Sequence, residues 1–244
     1  MSFVEVAAWA NRVLDHGKLG IEPKESWKLK AYNDYRAKLR ETGYPCFFGQ
    51  TAEIRGEMIY TFVSFDSLKP FVRNMSQFVH LIQTRDHERS SLVAFFKPDP
   101  GLTDHTQFTY RFWSALQFLR DHDEASTTHR EPEDPLWEFS FDGCEMFVVG
   151  ASPTYRQRGS RNLGDGMVLI FQPRVLFIDP ETSEPISGEV RRRIHKRMLT
   201  YDGMPVHPDI GLYGQDTNRE WKQYVLADDN SPEDGRCPFH PRQK

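Results

Sequence analysis

The residues of this chain that could do chemistry are His129, the acidic and aromatic run Trp137-Glu-Phe-Ser-Phe-Asp142, the arginines Arg156, Arg158 and Arg161, and the closing segment Arg236-Cys-Pro-Phe-His240. An imidazole can ligate a metal or move a proton near neutral pH. Of the nine histidines, His129 and His240 stand out because each lies in a proline-containing segment beside aromatic residues. Cys46, in Tyr44-Pro-Cys-Phe-Phe-Gly49, and Cys237 are candidate thiolate ligands, with a buried reduced thiol as the alternative for each. The three arginines offer rigid donor forks to a carboxylate or a phosphate, or form a solvated patch. No zinc signature, phosphate-binding glycine loop or hydrolase nucleophile elbow is present.

Around these residues the chain supplies both helices and strands. Apolar positions at helical spacing predict helices over Val4–Leu14, Trp27–Leu39 and Leu68–Ile82, the last with Asp66 as N-cap. Thr103 caps a further helix carrying Phe108, Phe112, Trp113, Leu116 and Leu119, and a basic helix runs over Ser187–Leu199. Strands are expected at Met58–Phe65, Ser91–Phe96, Met167–Phe171 and Val175–Ile178. Asp142-Gly143 joins two further strands in a hairpin, because that pair readily supplies positive φ. Asp121–Asp134 and Tyr201–Lys244 read as loops. The hairpin requires an antiparallel pair, so the expectation is an α+β single domain with a central mixed or largely antiparallel sheet and flanking helices; a doubly wound α/β fold is the alternative.

Composition narrows the function classes. The chain has 244 residues, enough for one substantial core, and its formal charge of −4 gives no electrostatic reason to expect a nucleic-acid partner. Three cysteines argue against a disulfide framework and fit a reducing compartment. Neither a signal-peptide pattern nor a long apolar run occurs, so the expectation is a cytoplasmic protein with no membrane partner. An apolar pocket edge, if exposed, would suit a homodimer. Aromatic residues make up 13%, which suits a planar cofactor and a plain core equally.

Tyr44-Pro-Cys-Phe-Phe-Gly49, the helix with Phe112-Trp113 and Leu116-Gln-Phe-Leu119, the hairpin Asp134–Gly150 and Arg236-Cys-Pro-Phe239 occur in an order that resembles the YqcI/YcgG family. The resemblance places the family domain at 26–240, between an N-terminal extension or short helix (1–25) and a tail (241–244). It implies a haem-dependent N-oxygenase acting on a small guanidino or amino substrate, with haem b and an electron donor. On that reading His129 is the first candidate for the haem iron and His240 the second, with Cys237 and Cys46 as alternatives that would push more electron density onto it. Trp137, Phe139, Phe141 and Phe147 would wall the haem or substrate, and Arg156, Arg158 and Arg161 would anchor propionates or a substrate carboxylate. Glu138 or Asp142 would receive a guanidinium. Ala151-Ser152-Pro153 departs from the Leu-His-Pro-like step of many relatives, so the substrate does not transfer with the family.

Overall fold

The computed structural model describes residues 14, 23–84, 87–125, 130–178, 185 and 187–240. The helix expected over Val4–Leu14 and the tail at 241–244 therefore lie outside the described residues, Leu14 excepted. Strand β1 (Met58–Val63) and β2 (Ser91–Phe96) are buried along their whole length. Their mostly apolar runs, broken only by Thr61 and Ser91, reflect cover on both faces. Helix α1 (Trp27–Leu39) lies before β1, and α3 (Lys69–Ile82) crosses from β1 to β2, which pair in parallel. Such a crossover is the connection that parallel neighbours need.

The remaining strands, β3 (Phe139–Phe141), β4 (Cys144–Ala151) and β5 (Val168–Pro173), pair antiparallel, and the sheet order is β1-β2-β5-β4-β3. The fold is α+β around a mixed five-stranded sheet. Asp142 and Gly143 form the hairpin turn with φ of 47° and 74°. The two positive φ values let two strands with a right-handed twist meet without splaying.

One face of the sheet receives α3 through Phe71, Met75 and Phe78 and α4 (His105–Asp121) through Phe108, Phe112, Leu116 and Leu119. Each of these large side chains contributes roughly 1.5–3 kcal/mol when fully buried. Gly150 of β4 permits the close approach of α4, since a Cβ there would stand 2.9 Å from the Phe112 ring. The other face is covered by Tyr32, Tyr35 and Leu39 of α1, packed on Tyr60, Phe62, Val93 and Phe95.

Several local expectations shift by one step. Asp104, and not Thr103, caps α4, with its Oδ1 accepting from Gln107 N at 2.9 Å. Leu68, and not Asp66, precedes α3, whose first turn carries Pro70. The segment after Cys46 forms helix α2 (Phe47–Arg55), and Arg174–Phe177 forms a 3-10 turn where a strand is expected. Pro173 closes β5, and the chain turns immediately after it. Helix α5 (Gly188–Asp202) begins at its Ser187 cap, and the short α6 (Glu220–Tyr224) interrupts the closing loops.

Candidate functional site

The hairpin divides its residues by face. Trp137, Phe139 and Phe141 turn into the core, where Trp137 meets Phe239 at 5.5 Å and Phe139 meets Phe171 at 5.8 Å between ring centroids. They pack against protein and do not line the groove. Phe147 lies on β4 with its ring against Tyr224 and Phe177. The groove lies at the turn end of the hairpin, with a volume of about 720 Å³, and is bordered by Gly143, Cys144, Glu145, Ile82, Arg130 and Arg174.

Beneath it sits a buried ionic cluster. Glu138 is 1% exposed, and its Oε2 accepts from Arg174 Nε at 2.8 Å while Oε1 accepts from Nη2. Glu220 of α6 brings a second buried carboxylate to 3.8 Å from Arg174 Nη2, and its Oε1 accepts from Asn218 at 2.6 Å and Gln223 at 3.3 Å. The guanidinium carbon of Arg174 sits over the Tyr213 ring, 3.6 Å from its centroid. Burial pushes the Glu138 carboxyl up to about 7 despite Arg174, and Glu220 and Glu145 push in the same direction. Burial also raises Glu220. Burial works against the charge of Arg174, but Glu138 more than compensates and its pKa is raised. Two acids thus share one close cation, an arrangement in which a proton is held near neutrality.

The three arginines after β4 do a different task. The backbone N–H groups of Arg156, Gln157 and Arg158 converge on the Asp228 carboxylate at 2.9 to 3.2 Å. The basic connection does bind an anion, and the anion is internal. Arg158 is 1% exposed and donates to Ala227 O and Asn230 Oδ1. Arg161 donates to the carbonyls of Gly150, Tyr224 and Gln223. Arg156 is exposed. The side chains of Arg158 and Arg161 staple the closing segment to the sheet, and none of the three arginines borders the groove.

The other candidate residues are dispersed. Asp142 supplies the hairpin turn, and its N–H donates to Asp123 at 3.3 Å. Cys46 caps α2, its Sγ accepting from Gly49 N at 3.3 Å, and burial raises its pKa. Burial pushes Cys237 up to about 12. His240 is exposed, its backbone clipped to the Gln117 side chain in both directions. His129 lies outside the described residues. Arg130, Arg174, Tyr213 and Glu220 were not singled out by sequence; only the position of Arg174 after a strand-ending proline gave a signal.

Haem needs an axial ligand facing a cavity. At the groove the described residues offer the cations Arg130 and Arg174, the carboxylates Glu88 and Glu145, and the Cys144 thiol, which burial and then Glu138 and Glu145 push up to about 11. A thiol held protonated is a poor ligand. No described histidine borders this groove. Among the described residues, no group of three or more His, Cys, Asp or Glu is placed to hold a metal ion, and no helix is long and apolar enough to cross a membrane.

YqcI of Bacillus subtilis (strain 168) is 31% identical over 229 residues, covering 89% of each chain. YcgG of the same organism is 33% identical over 209 residues, covering 80% of each. DcsA of Streptomyces lavendulae, which carries the name of a proposed N(omega)-hydroxy-L-arginine synthase, is 30% identical over 224 residues, covering 87% of this chain and 84% of its own. No solved structure matches. The model of the YqcI/YcgG family matches residues 35–240, so the chain belongs to the YqcI/YcgG family.

Proposed function

We propose that this protein is an oxidoreductase that N-hydroxylates a small guanidino or amino compound. Its similarity to DcsA over 87% of the chain carries the reading. The groove adds a setting suited to it, because Glu88 and Glu145 border it and carboxylates accept from a guanidinium or ammonium group. In such a reaction an N–H becomes N–OH: one atom of dioxygen goes to nitrogen, the other leaves as water, and a separate donor supplies two electrons with two protons. Haem b, which would activate the dioxygen, enters the proposal on the family resemblance alone.

The test is to purify the protein with haem supplied during expression, record its optical spectrum, and assay L-arginine and a panel of amines with a reductant under labelled dioxygen. A Soret band with stoichiometric haem and a product heavier by one labelled oxygen atom is expected. No product from any candidate overturns N-hydroxylation, and the absence of retained haem overturns the cofactor. A haem-free small-molecule-binding domain is the second reading, favoured by the Cys144 thiol at the groove, which burial keeps protonated and so a poor ligand for iron. It predicts ligand binding with neither haem nor product.

A further inference from the structure

We infer that Arg174, steadied by Glu138 and Tyr213 and joined by Arg130, anchors the carboxylate of a small molecule in the groove. The inference rests on the proposed function only for the choice of a guanidino carboxylate as ligand.

Arg174 has the geometry of a preset anchor. Its Nε and Nη2 edge is taken by Glu138, one face lies against Tyr213, and the side chain remains 23% exposed at the groove. Nη1 donates to no described residue, which leaves the end of the fork for a second acceptor. An arginine locked from behind loses little conformational freedom when it binds. Arg130 borders the same groove, and its Nη1 donates to Glu145 at 2.8 Å. The second cation makes a two-point grip on a carboxylate feasible.

The acids behind Arg174 oppose an anion while both are ionised. The charged and titratable groups facing this position are Glu138 just before β3, Glu145 and Cys144 on β4, Glu220 on α6, Glu88 on the groove border, Arg130 and Tyr213. Because burial raises Glu138 and Glu220, a ligand carboxylate on Arg174 favours their protonated form and draws a proton in. A ligand held only as a cation would drive that proton out. Proton flow on binding therefore distinguishes the two orientations.

L-arginine and agmatine, which share a guanidino group but differ in the carboxylate, are the probes, with pentanoate as a carboxylate lacking the guanidino group. Calorimetry near pH 7, in buffers of different ionisation enthalpy, should show arginine favoured over agmatine by about tenfold or more, with proton uptake. Arg174→Gln should abolish that preference, with agmatine bound no more weakly than by the wild type because Glu138 and Glu220 lose their close cation, while Arg130→Gln weakens the preference in part. Arg174→Lys keeps a cation against Glu138 and serves as the folding control; it should reduce the preference while the fold is retained. Equal affinity for arginine and agmatine, or proton release, overturns the anchor. Pentanoate binding that Arg174→Gln abolishes, without arginine binding or any oxygenated product, upholds the anchor and overturns the guanidino reading; binding of none of the three overturns the anchor.

Discussion

Arg158 and Arg161 on one side, and Arg130 and Arg174 on the other, are the same side chain meeting different acceptors. The first pair points inward at main-chain carbonyls and an amide oxygen that bind no proton at ordinary pH. The second pair borders a groove and meets carboxylates, two of them buried near Arg174, which can exchange a proton or a partner. A guanidinium among carbonyls is fixed by the fold, and moving it means opening the chain. Among carboxylates it keeps a choice, and that choice is what ligand binding can use.

The largest expected effect tests the inward pair. Arg161→Ala leaves the carbonyls of Gly150, Tyr224 and Gln223 without this donor, at roughly 1–3 kcal/mol for each one left buried and unsatisfied. Urea denaturation should show a loss of about 4 kcal/mol or more. A midpoint close to wild type would remove the contrast between the two pairs. Asp228→Ala, which strips the acceptor from three consecutive backbone N–H groups, should cost about 2–3 kcal/mol because water replaces part of what is lost at this exposed segment.

The sequence already contained the local half of this contrast. Asp142-Gly143 specified the hairpin through its backbone preference, and the apolar stripes specified α1, α3 and α4 because each needed one face buried. Parallel pairing of β1 with β2 was not legible, since a fully buried strand looks alike in either direction. The site was less legible than the fold. Asp228 lies 72 residues from Arg156, and nothing local marks it as the anion that fills the basic connection. Glu138 was visible as the polar alternate in an aromatic strand, but its neighbours Arg174 and Glu220 come from a 3-10 turn and a short helix distant in sequence. Long-range pairing decides which arginine is structural, and spacing does not encode it.

The outward pair should reveal itself in pH dependence. With its carboxyl raised from an ordinary 4.5 to about 7, Glu138 binds a proton more tightly in the folded protein than in the unfolded chain. Its stabilising contribution is complete below pH about 4.5 and lost as pH rises through about 7, up to about 3 kcal/mol in all. Glu138→Gln should flatten stability across that window. An unchanged slope in the variant would mean that the proton sits elsewhere, Glu220 being the next place to substitute.

The smallest effect concerns how firmly Arg174 is held. Tyr213 stacks on its guanidinium at 3.6 Å and donates its hydroxyl to Leu136 O at 3.2 Å, so two contributions must be separated. Tyr213→Phe keeps the ring and loses the hydrogen bond; Tyr213→Leu keeps some apolar bulk and loses the stack. If stacking steadies the arginine, the Leu variant should lose about 1 kcal/mol of stability and part of its preference for arginine over agmatine, and the Phe variant should retain that preference. Loss of preference in both would trace the effect to the loop held at Leu136. Retention in both would leave the carboxylates of Glu138 and Glu220 as the supports that matter, and Arg174 would then be fixed without its aromatic neighbour.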